Sequence, residues 1–152
     1  MNLFINIILS AVFATTAMTL FSYIAGFIFK ENFKEPVLLN RLISQMEFLP
    51  PAIRNSKASG WILHYLIGII FAAVAVLIIY LTHWSFTRMY GIGFGFVAGI
   101  AGILGWKAMF KIYTHPSRTD VKAYFIQLLA AHILFGWSLT VFFTLFSPDI
   151  SL

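Results

Sequence analysis

The chain has 152 residues, of which 61% are hydrophobic and only 10% are charged. A soluble domain carries about 25% charged residues, so too little polar surface remains to face water, and the composition predicts an integral membrane protein. Lys and Arg outnumber Asp and Glu by ten to five, but they flank apolar stretches, which argues against a nucleic-acid partner. Cysteine is absent from the sequence, which excludes disulfides and thiolate chemistry.

Four apolar stretches are each long enough to cross a bilayer core of about 30 Å, which needs about 20 helical residues. They cover residues 3–29, 61–81, 89–113 and 121–146. The first stretch lacks the basic start and the cleavage site of a signal peptide, so we interpret it as a span. The predicted fold is all-α, a single domain over residues 1–152 with four transmembrane helices in one bundle.

The positions of the basic residues predict the orientation of these spans. Nine of the ten lie in or beside the first and third connections, and they are Lys30, Lys34, Arg41, Arg54, Lys57, Lys107, Lys111, Arg118 and Lys122. Only Arg88 lies in the second connection. Because positively charged connections stay in the cytoplasm, the first and third are predicted to be cytoplasmic and both termini to lie outside.

The connection between the first two spans contains a shorter amphipathic pattern. Pro36 suits a first helical position, and apolar residues then recur on one face as far as Leu49, before two prolines. This pattern predicts a helix over about residues 36–49 that lies in the cytoplasmic membrane interface, and a short helix packed under the bundle is an equally open alternative. Residues 117–120 resemble a capping box and are predicted to start the fourth span.

The third span carries glycines along one face. At about 100° per residue they fall within one arc, so one side of this helix is nearly bare backbone. These residues are Gly91, Gly95, Gly99, Gly102 and Gly105. In a membrane such a face lets a neighbouring helix approach closely. We expect close packing here and at Gly68 and Gly136, either within one bundle or between the subunits of a homo-oligomer or larger membrane complex.

Two histidines occupy matching positions in the second and fourth spans. The second span reads His-Tyr-Leu-Ile-Gly from His64, and the fourth reads His-Ile-Leu-Phe-Gly from His132. An ionisable residue inside a membrane marks function by default, and the helical rise places both at similar depths. Thr19, Tyr23 and Gln127 lie in the same half of the bundle, and together these residues predict a polar cavity that faces the cytoplasm.

Three functions are compatible with this pattern. The first is a transport-type or accessory subunit without catalytic residues, whose cavity centres on His64 and His132. The second is a redox subunit in which the two histidines bind haem b or a metal ion, although no carboxylate in a span supplies a further metal ligand. The third is a lipid-modifying enzyme with His132 as its base. Lys107 and Lys111 are predicted to contact lipid headgroups.

Short motifs in the second and fourth spans resemble those of one group of proteins. The motifs are Gly60-Trp61, His64-Tyr65 with Gly68, and His132 with Phe135-Gly136. They resemble the patterns of small bacterial four-helix membrane proteins whose activity is not assigned. The resemblance covers about a third of the chain, and it implies a four-helix fold and a bacterial inner membrane.

Overall fold

The computed structural model describes residues 3–113 and 120–146, and these residues form helices without any strand. In chain order the helices are α1 (Leu3–Phe29), α2 (Glu35–Ser44), α3 (Pro51–Arg54), α4 (Ser59–Thr82), α5 (Arg88–Ile112) and α6 (Val121–Phe146). The prediction of an all-α fold is therefore confirmed. Helices α1, α4, α5 and α6 are long and apolar enough to cross a membrane. Each begins and ends within two residues of the corresponding predicted span.

A carboxylate caps the start of α6. The Oδ1 atom of Asp120 accepts the backbone N–H groups of Lys122 and Ala123 at 2.9 and 3.2 Å, which satisfies two donors that the first helical turn leaves free. Asp120 is the last residue of the predicted capping box, and residues 117–119 lie outside the described residues.

Helix α6 is central to the arrangement. It packs against α5 on one side and α1 on the other, and α1 packs in turn against α4. The long helices therefore follow the spatial order α5, α6, α1, α4, so that the consecutive helices α4 and α5 stand at its two ends. A groove of about 870 Å³ separates them, and we call it the α4–α5 groove. It is lined by Phe71, Val74 and Ile78 of α4 and by Tyr90, Gly93, Phe94, Val97 and Ala101 of α5.

Glycines bring α5 and α6 into backbone contact. A Cβ atom at Gly95 would overlap the carbonyl oxygen of His132, and one at Gly136 would overlap the carbonyl oxygen of Gly91. A Cβ at Gly99 would lie 2.7 Å from the Cδ1 atom of Leu129. Because these positions lack side chains, the two backbones approach closely enough for extensive dispersion contacts, which stabilise helix pairs in an apolar solvent.

Small residues also join α1 and α4. A Cβ atom at Gly68 of α4 would overlap the hydroxyl oxygen of Thr15 on α1. The alanines around this contact are completely buried, and they are Ala11, Ala14, Ala72 and Ala75. Small side chains at the interface thus hold α1 and α4 close together along much of their length.

Helix α2 buries its apolar face against protein. Leu38, Leu39 and Leu42 are each at most 5% exposed, and α2 packs mainly on α4. The contact is close because a Cβ atom at Gly60 would overlap the carbonyl oxygen of Pro36. The apolar face of α2 is therefore covered by the bundle, as the alternative of a helix packed under it predicts.

Helix α2 ends at Ser44, five residues before the predicted end. The Ser44 hydroxyl and the Gln45 side-chain amide both donate to the carbonyl oxygen of Arg41, at 2.8 and 3.2 Å. These side chains occupy the acceptor that the backbone N–H of Gln45 would use to continue the helix. That N–H bonds instead to Leu42, and the chain turns towards the short helix α3.

Replacing Gly95 by alanine should destabilise the protein, whereas the same change at Gly93 should not. An alanine in a helix is intrinsically about 1 kcal/mol more favourable than glycine, but overpacking costs about 1–3 kcal/mol. The extra methyl group at Gly95 meets the α6 backbone, while no described atom lies within 4 Å of a Cβ at Gly93. The midpoint of thermal unfolding in detergent micelles measures the difference. A Gly95→Ala protein that unfolds at or above the wild-type temperature would contradict the backbone contact.

Candidate ligand cavity

The two histidines line one cavity. Its volume is about 230 Å³, and its walls come from α1, α2, α4, α5 and α6. We call it the histidine cavity, and its polar and aromatic lining includes Thr15, Glu35, His64, Phe71, Trp106 and His132. The cavity adjoins the α4–α5 groove, because Phe71 and Ala101 line both spaces.

His132 is held by its own helix and by the glycine face of α5. Its Nδ1 atom lies 2.8 Å from the carbonyl oxygen of Leu128. Because a carbonyl oxygen only accepts, Nδ1 carries the proton and donates, and Nε2 of the neutral ring keeps a free lone pair. A Cβ at Gly102 would lie 3.2 Å from this Nε2 atom, so the missing side chain makes room for the imidazole.

His64 is oriented by a threonine on α1. Its Nε2 atom lies 2.9 Å from the hydroxyl oxygen of Thr19, and that hydroxyl donates its proton to the carbonyl oxygen of Thr15 at 2.7 Å. The hydroxyl therefore accepts from His64, which places the imidazole proton on Nε2 and leaves the lone pair on Nδ1. Each histidine thus presents one unprotonated nitrogen in the neutral state.

Glu35 is the charged residue that the sequence analysis missed. Although it belongs to the connection between two predicted spans, only 2% of it is exposed, and it lines the histidine cavity. Its spacing of three, four and seven residues from Leu38, Leu39 and Leu42 places it on the apolar face of α2. That periodicity is the signal in the sequence that could have identified Glu35 as buried.

A short network of hydrogen bonds holds one oxygen of Glu35. The Ser22 hydroxyl lies 2.8 Å from Oε1, and the amide nitrogen of Gln127 donates to Ser22 at 2.6 Å and to Oε1 at 3.4 Å. Burial raises the pKa of Glu35 from 4.5 to about 7, and these hydrogen bonds act in the opposite direction. The second oxygen, Oε2, is buried without a hydrogen-bond partner among the described residues.

The other residues predicted to line the cavity occupy different places. Thr19 and Gln127 lie just behind it, where they bond His64 and Glu35 respectively. Tyr23 is not brought together with the histidines. Its ring packs 6.0 Å from that of Trp61, and the Nζ atom of Lys34 lies 5.2 Å from its centre, at a surface groove.

The glycine face of α5 serves two purposes. Gly91, Gly95 and Gly99 face α6, as described above. Gly102 and Gly105 instead line the histidine cavity, and no described atom lies within 4 Å of a Cβ placed at Gly105. The close helix packing predicted at Gly105 is therefore absent from the described part of the chain, and the glycine there opens the cavity wall.

Lys107 and Lys111 lie on the exposed surface of α5. The Nζ atom of Lys107 lies 5.7 Å from the centre of the Phe125 ring on α6. The two lysines are therefore separate from the histidine cavity. Their contact with lipid headgroups stays a prediction.

The arrangement does not fit a haem held between the two histidines. The Nε2 atom of His64 is bonded to Thr19. The cavity volume of about 230 Å³ is also below the range of about 300–1,000 Å³ that is typical of cofactor sites. For a metal ion, residues 3–113 and 120–146 contain no group of three His, Asp or Glu side chains placed to bind one.

Comparisons with known proteins return no match, whether the chain is compared with family models, with curated proteins or with solved structures.

The contribution of Glu35 to the stability of the protein should decrease between about pH 4.5 and pH 7. The folded protein keeps the proton of Glu35 up to about pH 7, whereas the unfolded chain loses it near pH 4.5, so stability is full below the lower value and falls towards the higher. Over this pH range the contribution of Glu35 to the free energy of unfolding falls by about 3 kcal/mol.

Thermal unfolding midpoints in detergent at about pH 5 and pH 8 test this expectation. Measured against Glu35→Gln, whose amide does not titrate, the wild type should lose stability from pH 5 to pH 8, and Glu47→Gln, at an exposed position, should behave as the wild type does. If all three proteins showed the same pH dependence, Glu35 would not be the group responsible.

Proposed function

We propose that the protein is a multi-pass protein of the bacterial inner membrane, with α2 and α3 on the cytoplasmic side and both termini outside. Large apolar side chains on the outer surface of all four long helices support insertion, since such a surface is costly in water. Examples are Phe27 at 86%, Ile70 at 61%, Val97 at 65% and Ile126 at 73% exposure. The bias of basic residues towards the first and third connections supports the orientation.

In this setting α2 lies at the cytoplasmic membrane interface and also packs under the bundle. Its apolar face contacts protein, while Arg41 on its polar face is exposed and can reach anionic headgroups. Lys107 and Lys111, near the end of α5, extend towards the same headgroups. Membrane lipids are thus the first partners that we assign to the chain.

We further propose a transport-type function, in which a small solute occupies the histidine cavity. The observation that carries this proposal is the convergence of His64, His132 and Glu35, from three different helices, on one space inside the bundle. Polar groups at this depth are costly and are retained for a function. The open wall at Gly105 and the adjoining α4–α5 groove supply a way into the cavity.

A lipid-modifying enzyme is the second candidate, and the same openings favour it. A lipid chain in the α4–α5 groove would reach the histidine cavity past Phe71 and Ala101. The free Nε2 atom of His132 would then be the base. Transport is preferred because the described residues that line the cavity include no Ser, Lys or Asp beside an imidazole as a nucleophile, and Thr15 is the one hydroxyl among them.

The orientation can be tested directly because the sequence contains no cysteine. Single Arg41→Cys and Arg88→Cys variants place a thiol at exposed positions of α2 and of the start of α5. In intact cells a membrane-impermeant maleimide should label the Arg88 variant, and it should label the Arg41 variant only after permeabilisation. Labelling of the Arg41 variant from outside would contradict the proposed insertion.

Passage through the cavity can be tested with two leucine substitutions on α5. In vesicles that contain the purified protein, stopped-flow light scattering measures entry of urea, glycerol, methylammonium chloride and sodium acetate. Gly105→Leu should fill the opening in the cavity wall and lower the rate of solute entry about tenfold. This corresponds to an activation barrier that is higher by about 1.4 kcal/mol. Ala108→Leu places the same side chain at an exposed position of the same helix, outside both the cavity and the α4–α5 groove, and it should leave the rate unchanged.

Equal effects of the two substitutions, or rates no faster than in protein-free vesicles, would contradict the transport function. Mass spectrometry of the same vesicles separates the two candidates, because an enzyme would change the masses of the lipids and a transport protein would not.

A further inference from the structure

The unpartnered polar atoms of the histidine cavity are hydrogen-bond acceptors or hydroxyls. Oε2 of Glu35 is buried without a partner in the described residues, and so is the hydroxyl oxygen of Thr15, which is completely buried. His132 adds the lone pair of Nε2, since its Nδ1 atom donates to Leu128. Buried acceptors without donors are unfavourable, so a ligand that supplies donors would be stabilised here.

The charge of the lining points in the same direction. None of the described residues that line the cavity is lysine or arginine, and Glu35 is the one group there that can carry a full negative charge. An anion would meet no opposite charge and would be repelled by the carboxylate. A cation would be paired in a site of low dielectric constant, where such pairing is strong.

The rest of the wall suits an organic cation with a small apolar part. Trp106 is 6% exposed, and its ring lines the cavity together with Phe71 and Phe135. Aromatic faces attract ammonium groups and also contact alkyl chains. The volume of about 230 Å³ restricts the ligand to a molecule below the usual drug size.

We propose that the histidine cavity binds a small primary amine in its ammonium form, with N–H donors directed at Glu35, His132 and Thr15. This inference names the class of solute for the proposed transport function and rests on it. The ammonium group has three N–H donors, and Oε2 of Glu35, Nε2 of His132 and the Thr15 hydroxyl lack another partner among the described residues. Nδ1 of His64 is a further acceptor in the cavity. The alkyl part lies against the aromatic side chains and points towards the α4–α5 groove.

Equilibrium binding of radiolabelled n-butylamine to the purified protein in phosphatidylcholine nanodiscs tests the proposal, with empty nanodiscs as the blank. At about pH 8 the amine is protonated and Glu35 is ionised. Binding should saturate and should be displaced by unlabelled butylamine. Butyrate, 1-butanol and potassium chloride should not displace it, which distinguishes an ammonium from an anion, a neutral alcohol and a simple cation.

A pair of carboxylate variants assigns the binding to the cavity. Glu35→Gln should weaken butylamine binding at least about tenfold, because a charge-assisted hydrogen bond is lost. Glu47→Gln removes the same charge from an exposed position of the first connection, and the affinity of this variant for butylamine should equal that of the wild type.

Displacement by butyrate, by 1-butanol or by potassium chloride as effective as that by butylamine would overturn the proposal. Unsaturable binding, or equal affinity of Glu35→Gln and the wild type, would do the same. The competition series uses the wild-type protein, so it decides the question even if Glu35→Gln fails to fold. If urea or glycerol entry depended on Gly105 while butylamine did not bind, the transport function would stand and only the ligand class would be rejected.

Discussion

The backbone contact between α5 and α6 is the constraint on which the rest of the structure depends. Gly91, Gly95 and Gly136 remove the side chains that would separate the two helices. In the bilayer proposed for this protein the hydrophobic effect would not drive helices together, so close approach and dispersion would have to do so. The same contact fixes the position of His132 along the axis of α5, beside Gly102, which leaves space for the imidazole ring. The glycine face of α5 therefore serves both the packing on α6 and the candidate site.

Helix α2 supplies the charge of the site from outside the four long helices. Its leucines bury against the bundle, and the absence of a side chain at Gly60 lets it approach α4 closely. This docking carries Glu35 inward, where Ser22 and Gln127 bond one of its oxygens. The other oxygen remains free for a ligand. A connecting segment thus completes a cavity that the long helices alone would leave almost without charge.

The α4–α5 groove lies beside this cavity, and it is the entrance in the proposed function. Because α5 and α4 stand at opposite ends of the helix order, the short connection between them leaves a groove that adjoins the histidine cavity at Phe71 and Ala101. The combination of acceptors, aromatic faces and a side entrance favours a small amphiphilic cation over a haem or an anion.

Composition and periodicity suffice to predict the all-α class, the four long helices and the small-residue face of α5, because each follows from residue spacing along one helix. The common location of His64 and His132 can also be predicted in this way, since residue spacing places both at similar depths in their spans. Residue spacing does not predict three other features. They are the burial of Glu35, the lone-pair directions of the histidines and the division of the glycine face between packing and the cavity. They depend on contacts between residues far apart in the chain, such as Glu35 with Gln127 and Gly95 with His132, and only the packed helices bring those atoms together.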